Sequence, residues 1–209
     1  MKELIKNVYI DENYFKEEQL DYIKKQFISI MNFFNIKKLN KPTIIKIFDN
    51  IEKFRSEALK LSKFDSLPHW AIGMSVNMKE YDVNYILELS FEEQKKIDYH
   101  KDKTLEEFIK TIIHEFVHTC HSQYKNNVEL DAWINEGIAT YLSNQCENLE
   151  YSREFEEIFS EDVVPYQNYR NVFNYVFENY SKDDILKLLS NDNYIKEKVI
   201  NSLLNKKVK

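Results

Sequence analysis

Two histidines four residues apart, His114 and His118, stand in a segment built to be a helix, and a helix that holds them fixes much of what can surround it. Thr104 with Glu107 three residues on is a capping-box start, and the spacing predicts one helix from there through about residue 122. On a helix, positions i and i+4 project from one face a single turn apart. Their imidazoles can therefore converge on one metal ion at ~2.0–2.1 Å. Glu115, next to the first histidine, points to the side where an activated water would lie, and can take its proton as general base.

A catalytic zinc ion of this kind, one per site, needs a third protein ligand and an open fourth position. After a gap of seventeen residues Glu136 stands within Trp133-Ile134-Asn135-Glu136-Gly137-Ile138-Ala139-Thr140-Tyr141, on a second helix expected over residues 132–146. Gly137 and Ala139 remove bulk beside the carboxylate, which suits packing of this helix on the first with the metal between them. Thr140, one turn on, is placed to hydrogen-bond a ligand. Asp131 is either the N-cap of this helix or an acceptor for a ligating histidine. His121 reads as a group behind the ligands or an exposed histidine, since a third imidazole one turn further on is displaced by about 5 Å. His69 and His100 read as structural or exposed.

The rest of the chain organises by periodicity. Leu20, Ile23, Phe27, Ile30, Met31 and Phe34 form one apolar helical face. Pro42 precedes the β-branched run Thr43-Ile44-Ile45-Lys46-Ile47-Phe48, a strand, and Asn50 N-caps a further helix through Leu61. Residues 70–76 and 85–89 read as two more strands, a hairpin. A break at residues 125–127 ends the histidine helix, and everything beyond reads as helical. Two glycines and three prolines in 209 residues also favour long helices over a turn-rich β architecture. The expectation is an α+β fold. It has a small mixed sheet in the N-terminal half, then the histidine helix, then an all-helical C-terminal half, in one domain of two lobes, about 1–122 and 123–209.

The formal charge of −6 and the absence of a Lys/Arg cluster with interleaved aromatics argue against a nucleic-acid partner. The charged start Met1-Lys2-Glu3-Leu4-Ile5-Lys6 lacks the apolar run of a signal peptide, and no stretch approaches the ~18 residues that span a bilayer, so the expected location is cytoplasmic, without membrane contact. Cys120 and Cys146 form no CxxC pair. Cys120, about 200° around the helix from His118, is expected to be a buried core thiol.

The pattern His-Glu-x-x-His, a seventeen-residue gap and Asn-Glu-Gly-x-Ala resembles the gluzincin superfamily, which includes thermolysin-like proteases and zinc aminopeptidases. The resemblance extends to Pro-x-Trp-Ala-x-Gly at 68–73, similar to the edge-strand segment of the aminopeptidase catalytic core. It extends also to Tyr166, Val172, Phe173, Tyr175 and Val176, which follow the family's C-terminal rhythm and end at Tyr180-Ser181. It implies a zinc metallopeptidase acting on a peptide or protein substrate. Zinc would be held by His114, His118 and Glu136. Trp70, Ala71, Ile72, Gly73 and Met74 would offer backbone hydrogen bonds to an extended peptide, as strand addition does. Tyr166, or Tyr169 as the next choice, would donate to the tetrahedral oxyanion.

The departures from the family pattern matter too. Aminopeptidases carry Gly-x-Met-Glu-Asn on the edge strand, where the glutamate anchors the free amine, whereas this chain has Gly73-Met74-Ser75-Val76-Asn77. That shifts the expectation from exopeptidase to endopeptidase. The metzincin pattern fails, because His121 and Tyr124 stand where its glycine and third histidine belong. A zinc-containing peptide-binding module without useful proteolysis, or a hydrolase of non-peptide amides, stays open as a rival, and oligomeric state is not legible.

Overall fold

The computed structural model describes residues 1–125, 128–147, 149–160 and 164–205, in two compact units, Met1–Tyr124 and Lys125–Lys209. The expected break at residues 126 and 127 lies outside the described residues. The architecture is α+β, with one mixed sheet in the first half and helices in the second.

The first unit opens with β1 (Lys2–Ile5) and β2 (Val8–Ile10), an antiparallel hairpin turned at Asn7, whose φ of 68° lies in the left-handed region that asparagine tolerates. At four and three residues these two strands are too short to stand out in the sequence. Then come α1 (Glu17–Phe33), β3 (Thr43–Phe48), α2 (Ile51–Ser62), β4 (Gly73–Val76), β5 (Asn84–Leu89), a single turn α3 (Phe91–Gln94) and α4 (Leu105–Lys125). The strand order is β1-β2-β3-β5-β4. β2, β3 and β5 run parallel, with an antiparallel strand added at each edge.

The local signals work as expected where they are strong. Asn50 caps α2 by accepting from the Lys53 N–H (2.9 Å), and the capping box holds, the Thr104 N–H donating to Glu107 Oε2 (2.7 Å) and the Glu107 N–H to Thr104 Oγ1 (3.2 Å). The strand expected from residue 70 begins at Gly73, because the Ala71 N–H turns back to the Pro68 carbonyl (3.0 Å).

Alternation along β5 divides its side chains between two layers. Leu87 and Leu89 join Phe54 and Ala58 of α2, with Ile72 and Val76, in an apolar cluster. Ile86 and Glu88 point to the opposite face. There α4 lies, with Thr111 against the Gly73 position, and α1 stacks on α4 through Phe27 and Phe116 (centroids 3.7 Å, 11°). Buried residues surround α4 on nearly every side, Cys120 among them, so the histidine helix is the spine of this unit. Burial pushes the Cys120 thiol well above its ordinary value, which leaves it a core group.

The second unit comprises α5 (Ala132–Leu142), α6 (Phe155–Ser160), α7 (Tyr166–Asn179), α8 (Lys182–Leu188) and α9 (Asn193–Leu204). Helix α5 stops four residues before the expected position 146. The Asn144 N–H bonds the Tyr141 carbonyl (3.1 Å) and the Gln145 N–H the Thr140 carbonyl (3.1 Å), while Asn144 adopts a φ of 57°. That is a Schellman-type stop. Helix α7 packs tightly on α5. Tyr141 stacks on Phe177 (3.9 Å, 12°), and the Arg170 guanidinium donates to the Thr140 and Tyr141 carbonyls (3.0 and 2.8 Å), covering the C-terminal end of α5 with positive charge. No helix among the described residues is long and apolar enough to cross a membrane.

Candidate metal centre

Helix α4 presents His114 and His118 one turn apart, with their Nε2 atoms 3.0 Å from each other and their rings inclined at 76°. Two imidazole nitrogens, each bound at ~2.0–2.1 Å to a tetrahedral ion, lie about 3.3 Å apart. The pair therefore already has the spacing of two ligands of one metal. His114 is 3% exposed and His118 half-buried.

Among the described residues, one set of histidine, cysteine and carboxylate side chains can hold a metal ion: His114, His118 and Glu136, one ligand atom from each, all within 4.8 Å of one another. Two imidazole nitrogens and one carboxylate oxygen are a donor set that divalent transition metals accept.

Within α5 the Glu136 carboxylate is steadied by its neighbour, the Asn135 side-chain amide donating to Glu136 Oε1 (3.1 Å). The reading from sequence gave Asn135 no role. Thr140, expected behind a ligand, donates its hydroxyl to the Glu136 main-chain carbonyl (2.6 Å), as helical threonines often do. Gly137 also has a different purpose from the one expected. A Cβ there would stand 2.3 Å from Phe173 Cδ2 and 3.2 Å from the Tyr169 carbonyl, so the missing side chain admits α7. Asp131 occupies the N-cap position of α5 without a side-chain cap bond, and its carboxylate pairs with Lys196 of α9 (2.5 Å).

Glu115 sits beside His114 and is 9% exposed. Thr111, one turn before it on the same face, has its Cγ2 3.2 Å from the point where a Gly73 Cβ would stand. This face of α4 thus runs under the start of β4. Strand β4 is an edge strand, paired only with β5 among the described residues, and Gly73, Met74 and Ser75 are half-buried along it. Trp70 lies in the turn closed from Ala71 to Pro68 that leads into it, and Ile72 already pairs with β5, its carbonyl accepting from the Leu89 N–H (2.8 Å). His100, read as structural or exposed, fixes this turn through its Nε2 contact with the Trp70 carbonyl (2.9 Å).

Next to this face lies a residue that the sequence reading did not single out. Glu88 is fully buried on β5, directly opposite Gly73, and its Oε2 would be 2.3 Å from a Cβ at that position. The Gln94 amide donates to Oε1 (2.5 Å), while Oε2 is buried without a hydrogen-bond partner. Burial pushes the Glu88 carboxyl well above its ordinary value. The nearby Lys103 charge opposes this shift, the Glu115 charge adds to it, and the Gln94 hydrogen bond opposes it. Lys103 in turn donates to Thr111 Oγ1 (2.6 Å). The signal available in sequence was one carboxylate inside an otherwise apolar strand.

The remaining expected residues are also placed. His121 is buried, with its ring 6.1 Å from that of Phe34, so it is not solvent-exposed. Tyr166 is half-buried in the first turn of α7. Tyr169, 6.2 Å away between ring centroids, is buried, and its hydroxyl accepts from the Val164 N–H (3.1 Å). No protein-family model, no curated protein and no solved structure matches this chain.

Proposed function

We propose that this protein is a zinc-dependent metallopeptidase, of the kind the gluzincin resemblance implies, that cleaves within peptide chains. The observation that carries the reading is the pair of Nε2 atoms 3.0 Å apart on α4, with a Glu136 oxygen in the same group. Zinc bound there would supply Lewis-acid polarisation of a peptide carbonyl and a water that ionises at neutral pH. Glu115, one residue along α4 from His114, takes the proton of the attacking water and delivers it to the leaving amine. An extended substrate lies along β4 and uses the free backbone groups of that edge, which places its backbone over the face of α4 that carries Thr111 and Glu115. Ser75 and Val76 offer no carboxylate to hold a free amino terminus, which favours internal cleavage.

The deciding experiment joins zinc analysis of the purified chain to a peptide-library digest read by mass spectrometry. One zinc per chain with internal cleavage, lost to a chelator and restored by zinc, is the expected result. Stoichiometric zinc without cleavage would instead make this a peptide-binding module, and absence of zinc would remove the metal reading altogether.

For the oxyanion donor, Tyr166 is the better candidate, because Tyr169 is fully buried whereas Tyr166 is half-buried. Tyr166→Phe is expected to lower kcat about 100-fold with zinc content unchanged. An unaltered kcat would take Tyr166 out of the site.

A further inference from the structure

A hollow of about 750 Å³ lies in the first unit, lined by β1, the second half of α1 and the residues that follow it. Its apolar surface comes from Leu4 and Ile5 of β1 with Ile28, Met31 and Ile36. Ile28 is 45% exposed, a large aliphatic side chain left open to water on the helix. Around it stand Lys6, Lys24, Lys37 and Lys38, all exposed, and no acidic residue lines the hollow. None of these four ammonium groups forms an ion pair among the described residues. Four unneutralised cations gathered on a chain of net charge −6 form a local field opposite in sign to the molecule's own.

Strand β1 adds a second feature. It is the edge strand at the other end of the sheet from β4, paired only with β2 among the described residues. None of the four lysines lies within β1: Lys6 follows it, Lys24 is on α1 and Lys37 and Lys38 come after α1, so they are not the edge-strand lysines that repel other strands, and a chain segment that carries its own negative charges is attracted to them.

We infer that this hollow is a docking site for an extended acidic segment of a partner protein. The segment seats an apolar side chain against Ile28, Met31 and Ile36, and its carboxylates lie among the four lysines. Charge complementarity selects the partner and speeds its encounter, and the apolar anchor supplies most of the hold. The inference does not depend on hydrolysis at α4.

The test uses the full chain in the Glu115→Gln background, so that binding is scored apart from cleavage. A short fluorescein-labelled peptide with glutamates around a central Phe-Leu pair is titrated by anisotropy beside one whose flanks are lysines. Saturable binding of the acidic peptide alone is expected, weakening as salt rises and weakening at least about tenfold in Lys24→Glu/Lys37→Glu. Ile28→Ser is expected to weaken it independently. The inference is overturned if both peptides bind alike, if neither saturates, or if the charge-reversed variant binds as the parent does. It is equally overturned if phosphatidylglycerol vesicles bind and the peptide does not, or if sedimentation shows that a second copy of the chain covers the hollow.

Discussion

Glu115→Gln is expected to retain zinc at the level of the parent while turnover of peptides falls about 10²- to 10⁴-fold. The two halves of this expectation come from different atoms. The proposed ligands are His114, His118 and Glu136, so the amide of glutamine takes no donor away from the metal. It has no basic oxygen, however, to accept the proton of the attacking water. Because glutamine is nearly isosteric with glutamate, it fits the 9% exposed position 115 without repacking, and folding should be unaffected. Zinc analysis with kcat/KM on one cleaved peptide reads both halves. Turnover equal to that of the parent would sink the role given to Glu115. Loss of zinc together with turnover would mean that Glu115 acts through the metal site instead.

Glu88→Gln is expected to flatten the pH dependence of stability. An unfolded glutamate titrates near 4.3, and burial holds the folded Glu88 carboxyl well above the ordinary value. Below the unfolded value both states carry the proton and the group contributes no penalty. As pH rises from there towards the folded value, only the unfolded chain releases its proton, and the parent loses stability by up to about 1.4 kcal/mol per pH unit from this one group. Glutamine keeps the oxygen that accepts from Gln94 and cannot ionise, so this slope disappears. Urea unfolding of parent and variant at pH 5 and at pH 8 (about 0.7 of a unit and well above the start of that window) checks it. The variant should gain on the parent as pH rises. Parallel curves would show that Glu88 ionises freely in the folded protein.

What could be read from the chain was whatever depends on near neighbours. The four-residue spacing of His114 and His118 becomes a shared face through helix geometry alone, and the capping box at Thr104 and Glu107 starts that helix through hydrogen bonds three residues long. The β-branched run at 43–48 and the hairpin of β4 and β5 were legible for the same reason, and the α+β class followed from them. Strands β1 and β2 were not legible. At four and three residues they carry little pattern: β2 is a strand through its pairing with β3, more than thirty residues away, and β1 through its pairing with β2.

The roles of Gly137, Thr140 and Glu88 depended on contacts that no local pattern encodes. Gly137 yields space to Phe173, thirty-six positions further on, although the sequence around it suggested the histidine helix. Glu88 reads as an ordinary strand glutamate until hairpin register sets it against Gly73 and α4 closes over it, which removes water and raises its proton affinity. By itself, then, the sequence determined the helix of His114, Glu115 and His118, its cap, and the strands with strong β-branched runs, because these rest on steric and hydrogen-bonding preferences within a few residues. Only the tertiary structure decided what lies beneath that helix, where α5 stops and which neighbour its glycine admits, because burial and register are properties of segments that meet only in the folded chain.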